Sequence, residues 1–155
     1  MLMMARDRDY PALRDLLKGR KVALWTCNTC ARLCNGIGGT ESASKLADAL
    51  RSDGIDVVGV MYTSASCLQD KVRAKADATV LDKADTVVSL TCDIGSVCAG
   101  HVFEKEMINP VVTFGPGLIL EDGSLLVCNV MDGKAECTCL DEVSSEAGLS
   151  ADPYV

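Results

Sequence analysis

The stretch Lys21-Val22-Ala23-Leu24-Trp25-Thr26-Cys27-Asn28-Thr29-Cys30-Ala31-Arg32-Leu33-Cys34-Asn35-Gly36-Ile37-Gly38-Gly39-Thr40 decides the fold. It opens as a short apolar run, which reads as a buried strand. It continues as a loop rich in Cys and Gly. Thr40 then caps a helix through about Ser52, in which Ala43, Leu46, Ala47 and Leu50 fall at i, i+3, i+4 and i+7 and make one apolar stripe. Gly54 ends that helix. Strand, loop and helix in this order are the first half of a βαβ unit.

The pattern repeats downstream. Ile55–Tyr62 reads as a second strand and Cys67 to about Ala84 as mostly helical. Thr86–Cys92 reads as a third strand, Asp93 to about Lys105 as a third helix, and Pro110–Phe114 as a fourth strand. Alternation of this kind implies a parallel sheet. The expectation is an α/β fold with a small four-stranded parallel flavodoxin-like sheet of order 2-1-3-4, over residues 21–115. Upstream, residues 1–20 read as a lead-in helix. Pro11 lies at its start, Gly19 past its end, and Leu13, Leu16 and Leu17 lie on one face for packing on the domain or a partner. Downstream, Leu118–Leu120 and Leu125–Val127 flank Asp122-Gly123, so residues 116–140 read as a C-terminal β-hairpin extension. Residues 141–155 are acidic and Ser-rich and read as a surface tail.

The chain has 155 residues, 48% apolar and 24% charged, which suits one ordinary domain. A net charge of −7 and 4% aromatics argue against a nucleic-acid partner. No apolar run has the length of a membrane span, and Met1–Asp9 holds none of signal-peptide length. Nine cysteines stand beside a single histidine. An odd number in close spacings suits a reducing, cytoplasmic setting, where clustered cysteines signal metal or redox chemistry more than structural disulfides.

The strongest chemical signal is the C-x2-C-x3-C cluster of Cys27, Cys30 and Cys34. Short spacing lets one loop wrap several thiolates around one ion or cluster. Amides from Gly36 to Thr40 are expected to offset their charge. A fourth ligand comes from Cys92, which ends the third strand, or Cys67, which follows the second. In a 2-1-3 order both neighbour Cys27 at the carboxyl edge of the sheet, where ligand sites of open α/β sheets sit. All-thiolate ligation suits an iron–sulfur cluster, expected as [4Fe–4S], with Zn2+ as the alternative. A thioredoxin-like dithiol or plain packing are the remaining readings. Cys98, Cys128, Cys137 and Cys139 form a possible second site. His101 reads as an ordinary helical histidine and Trp25 as strand core. Gly36-Ile37-Gly38-Gly39 is no dinucleotide fingerprint, because Glu41 stands where the third glycine would fall.

This order of motifs resembles one family. The strand, C-x2-C-x3-C, Gly38-Gly39 and helix are followed by Cys67 after the second strand. Leu90-Thr91-Cys92-Asp93-Ile94-Gly95 then follows the third. The pattern is similar to the methylenetetrahydrofolate reductase C-terminal domain family, from about Leu16 to Cys139. That family includes the small subunit of the two-subunit reductase of acetogenic bacteria. The resemblance implies a partner: a TIM-barrel flavin-containing subunit that binds FAD and folate. That partner reduces 5,10-methylenetetrahydrofolate to 5-methyltetrahydrofolate. It implies that the small subunit carries metal or iron–sulfur sites and no catalytic pocket, with FAD on the partner only. Electrons would come from a nicotinamide cofactor, a ferredoxin or a larger electron-transfer complex. Many family members have a cysteine-richer tail; this chain keeps only Cys128, Cys137 and Cys139 there.

Overall fold

A computed structural model describes residues 1–155. It is a mixed α/β structure of two four-stranded sheets and seven helices. In chain order these are β1 (Leu2–Arg6), α1 (Tyr10–Leu17), β2 (Lys21–Cys27), α2 (Cys30–Leu33) and α3 (Thr40–Ser52). Next come β3 (Asp56–Thr63), α4 (Gln69–Lys75), α5 (Ala78–Lys83), β4 (Thr86–Leu90) and α6 (Asp93–Phe103). The chain ends with β5 (Glu106–Ile108), β6 (Val111–Ile119), β7 (Leu125–Met131), β8 (Lys134–Cys139) and α7 (Leu140–Glu146).

The first sheet is parallel, in the order β3-β2-β4-β5. Its central strands are buried on both faces, which suits their mostly apolar sequences without alternation. Val22 and Leu24 face one core with Leu13 and Leu17 of α1 and the stripe Ala43, Leu46, Ala47 and Leu50 of α3. Ala23 and Trp25, one residue out of phase, face a second core with Val72, Ala99 and Phe103. Leu13 and Leu17 are fully buried, so α1 packs on the domain. Asp9 caps α1 by accepting from the Ala12 amide at 2.9 Å.

The fourth parallel strand is Glu106–Ile108, not Pro110–Phe114. Pro110 has no N–H for a ladder, and the chain leaves the parallel sheet there. Its carbonyl accepts instead from the Asp7 amide and the Tyr154 hydroxyl. Val111–Ile119 joins the second sheet, an antiparallel β1-β6-β7-β8. That sheet holds an unexpected member. Leu2–Arg6 is a strand rather than part of the lead-in to a helix, and Met3, Met4 and Ala5 are fully buried in it. The boundary expected at residues 115 and 116 therefore falls inside β6.

Two further expectations change. The helix expected from Cys67 to Ala84 is broken in two, because Asp77 starts α5 by accepting from the Thr79 and Val80 amides. The surface tail is tied down. Leu140 and Ser144 of α7 are buried, and Ser150 exchanges backbone bonds with Arg6 of β1. No helix is long and apolar enough to cross a membrane.

A third core lies where the two sheets meet. It joins Met3, Met4, Val111, Leu140 and Ala151 to Cys27, Ala31, Cys34, Ile37 and Cys92. The cysteine loop is thus packed between the carboxyl end of the parallel sheet and the antiparallel sheet.

The Tyr10 hydroxyl donates to Asp53 Oδ2 at 2.7 Å, joining α1 to the end of α3. Partial burial, then the bond to Asp53, pushes its pKa up to about 12. The neutral phenol is therefore the form the fold favours. Its stabilisation is complete below the unfolded value near 10 and is lost as pH rises towards about 12. Tyr10→Phe is expected to flatten the pH dependence of urea unfolding in that window. A slope equal to that of the unaltered chain would remove Tyr10 as the cause.

Candidate metal centre

The carboxyl end of β2 delivers Cys27, and hydrogen bonds hold the loop beyond it. Thr26 Oγ1 donates to the Leu90 carbonyl at 2.9 Å and accepts from the Gly39 amide at 2.7 Å. Asn28 donates its amide to Thr63 and accepts through Oδ1 from the Thr40 amide and hydroxyl. One helical turn, α2, starts at Cys30 and carries it half-buried. Cys92 follows β4 and is the N-cap of α6, its Sγ accepting from the Gly95 amide at 3.4 Å. Cys67 follows β3 on an exposed loop.

Cys27, Cys30, Cys67 and Cys92 thus stand at the ends of three adjacent parallel strands, β3, β2 and β4. Electrostatics report their neighbourhood. Burial raises the Cys92 pKa, the Gly95 amide opposes it, and the charges of Cys30, Cys27 and Cys67 raise it further. Cys27 donates a long bond to the Ser64 carbonyl at 3.6 Å, and the Thr29 hydroxyl shares that acceptor.

Cys34 stands apart in its bonding. It is fully buried, and its Sγ accepts from the Met4 amide and donates to the Met4 carbonyl, both at 3.3 Å. Burial raises its pKa, the Met4 amide lowers it, and Cys30 raises it. Of the five expected ligands, Cys34 is therefore the one engaged with β1.

The expected role of the loop amides is corrected. Gly36, Ile37, Gly38, Gly39 and Thr40 donate to Arg32, Cys34 and Ala31 carbonyls, Thr26 Oγ1 and Asn28 Oδ1. All five are spent on closing the loop. The amides that reach thiols are those of Gly95 and Met4. The Cys92-x-x-Gly95 spacing was the sequence signal for the first; nothing local signalled the second.

The second expected site is not assembled. Cys128 and Cys137 face each other across β7 and β8 and form a disulfide, with Cα atoms 4.1 Å apart. Paired sulfurs are not thiolate ligands. Cys98 lies on α6 near Cys67, which raises its pKa beyond the effect of burial, and Cys139 is the half-buried N-cap of α7.

The donor chemistry of Cys27, Cys30, Cys67 and Cys92 fits a soft metal or iron–sulfur cluster, with four free thiols on three segments. The side chains are not drawn together: no three His, Cys, Asp or Glu residues form a closed ion-binding group. No protein-family model, curated protein or solved structure matches the chain.

Proposed function

We propose that this chain is a small accessory subunit that holds an iron–sulfur cluster through Cys27, Cys30, Cys67 and Cys92. Its role in this reading is to dock on a flavin-containing methylenetetrahydrofolate reductase subunit and pass electrons to it. The position of four free thiols on segments that follow β3, β2 and β4, at one edge of the parallel sheet, is the observation that supports the metal part of the proposal. The folate and flavin part rests on the motif resemblance. A bound cluster supplies one-electron storage. The chain's own residues contribute burial of Cys27 and Cys92 and the Gly95 amide, which favours negative charge on the Cys92 sulfur.

Exposed apolar side chains add support for docking. Leu33, Leu68, Ile94 and Val97 lie on the thiol-bearing segments and are 44–61% exposed. The likeness to a flavodoxin-like order, in which a ligand sits at the strand ends, belongs to the same reading.

The deciding experiment is anaerobic purification with iron, zinc and sulfide analysis, read beside a visible spectrum before and after dithionite. About four iron and four sulfide per chain, with colour that bleaches, is the expected result. One zinc, no colour and no response to reductant would replace electron transfer with a structural zinc adaptor.

A further inference from the structure

We infer that Ser66 is a positioning residue of the thiol centre, locking the Cys67 loop to the turn that carries Cys92. This rests on the reading of Cys67 and Cys92 as ligands. Ser66 is 1% exposed and precedes Cys67 directly. Its hydroxyl accepts from Trp25 Nε1 at 2.8 Å and donates to the Gly95 carbonyl at 2.8 Å. The same Gly95 donates its amide to Cys92 Sγ. Trp25 lies two residues before Cys27, on β2. One relay therefore ties together the three segments that bear Cys27, Cys67 and Cys92.

The chemistry of the relay is demanding. Its middle member must accept from an indole and donate to a carbonyl, which a hydroxyl does and an alkyl group does not. The indole itself is fixed by an edge-on contact with Phe103 of α6, ring centroids 5.0 Å apart. The fit around Gly95 is equally close. A Cβ there would stand 3.0 Å from Ser66 Cβ and 3.2 Å from Thr91 Cβ. Gly95 lets α6 begin against the Ser66 loop, and the hydroxyl bond holds it there. Partners that orient metal ligands in this way typically govern affinity by ~10–100-fold when removed.

The test uses the full chain, metal-free and reduced, titrated with Co2+ and read by the thiolate-to-cobalt charge-transfer band. Ser66→Ala removes the relay. Gly95→Ala forces its two halves apart without deleting a polar group. Trp25→Phe removes the indole donor and keeps the Ser66–Gly95 bond. Ser66→Ala and Gly95→Ala are each expected to weaken Co2+ binding ~10–100-fold and to shift the band. Trp25→Phe is expected to keep the position of the band. Native far-ultraviolet circular dichroism is the condition for reading each variant, and Gly95→Ala carries the test if Ser66→Ala does not fold. Unaltered binding in both alanine variants overturns the inference. So does a Trp25→Phe chain that loses Co2+ as fully as Ser66→Ala, since the core rather than the Ser66 bond would then be responsible. If the unaltered chain shows no charge-transfer band, Co2+ does not report on the centre, and the iron, zinc and sulfide analysis decides the metal reading. Alkylation of Cys92 then decides the positioning role: faster reaction in both alanine variants supports it, and equal rates overturn it.

Discussion

Replacing Cys92 with serine is expected to strip the chain of its metal, and replacing Cys34 with serine is expected to leave it bound. In the sequence Cys34 belongs to the C-x2-C-x3-C cluster and Cys92 is one of two candidates for the fourth ligand; in the fold both are buried. Their surroundings differ. Cys92 caps α6 beside Cys30, Cys27 and Cys67, whose charges all act on it. Cys34 already exchanges two hydrogen bonds with the Met4 backbone of β1. Loss of a direct ligand costs more than the ~10–100-fold in affinity that follows loss of a supporting partner. A serine at position 34 can keep both bonds to Met4, so its cost falls on stability, at about 1–2 kcal/mol. Iron and sulfide per chain, measured after anaerobic purification of both variants, check this. Equal loss from both would make Cys34 a ligand and overturn the assignment of Cys27, Cys30, Cys67 and Cys92.

Gly38→Ala is expected to be the most damaging small substitution in the cysteine loop. A Cβ there would lie 2.5 Å from the Leu90 carbonyl oxygen, 2.7 Å from Ala31 Cβ and 3.0 Å from Thr26 Oγ1. The first of these is the backbone of a central strand and cannot turn aside. Thr26 Oγ1 is the group that bonds both Leu90 and Gly39, so moving it breaks the closure of the loop. Overpacking of this kind costs about 3 kcal/mol. For a chain of this size that corresponds to a fall in Tm of about 6–12 °C. Thermal unfolding of the metal-free chain measures it without interference from ligand binding. A fall below about 2 °C would show that the loop yields more easily than its contacts indicate.

The disulfide between Cys128 and Cys137 and the fate of Cys34 mark where local reading stops. Cys128 and Cys137 meet because Asp132 and Gly133, both at positive φ, form a two-residue turn that pairs β7 with β8 in one register. Asp132-Gly133 is a turn dipeptide in the sequence, but which residues it sets opposite one another depends on the pairing of β7 with β8. Cys34 meets Met4 across 30 residues of chain, and β1 itself had no local mark. Leu2–Arg6 carries neither alternation nor turn punctuation, and so it reads as part of the lead-in to the α1 helix. It becomes a strand only because β6 offers an edge, and β6 offers it because Pro110 turns the chain out of the parallel sheet.

Short-range pattern alone determined the first three strands of the parallel sheet, the amphipathic face of α3, and the placement of Cys27, Cys67 and Cys92 near strand ends. Those features follow from periods of two and 3.6 residues and from glycine and proline punctuation, all of which act within a few residues. The tertiary structure decided which thiols stay free, which amides reach them and what holds their segments together. Cys34 is engaged by β1, the loop amides by their own loop, and the Cys67 loop is joined to the Cys92 turn through Ser66 and Gly95, with Trp25 of β2 bonded to the same Ser66. These are contacts between residues far apart in the chain, formed where two sheets close over a common core. No window of sequence contains both partners, so the outcome depends on how the layers pack.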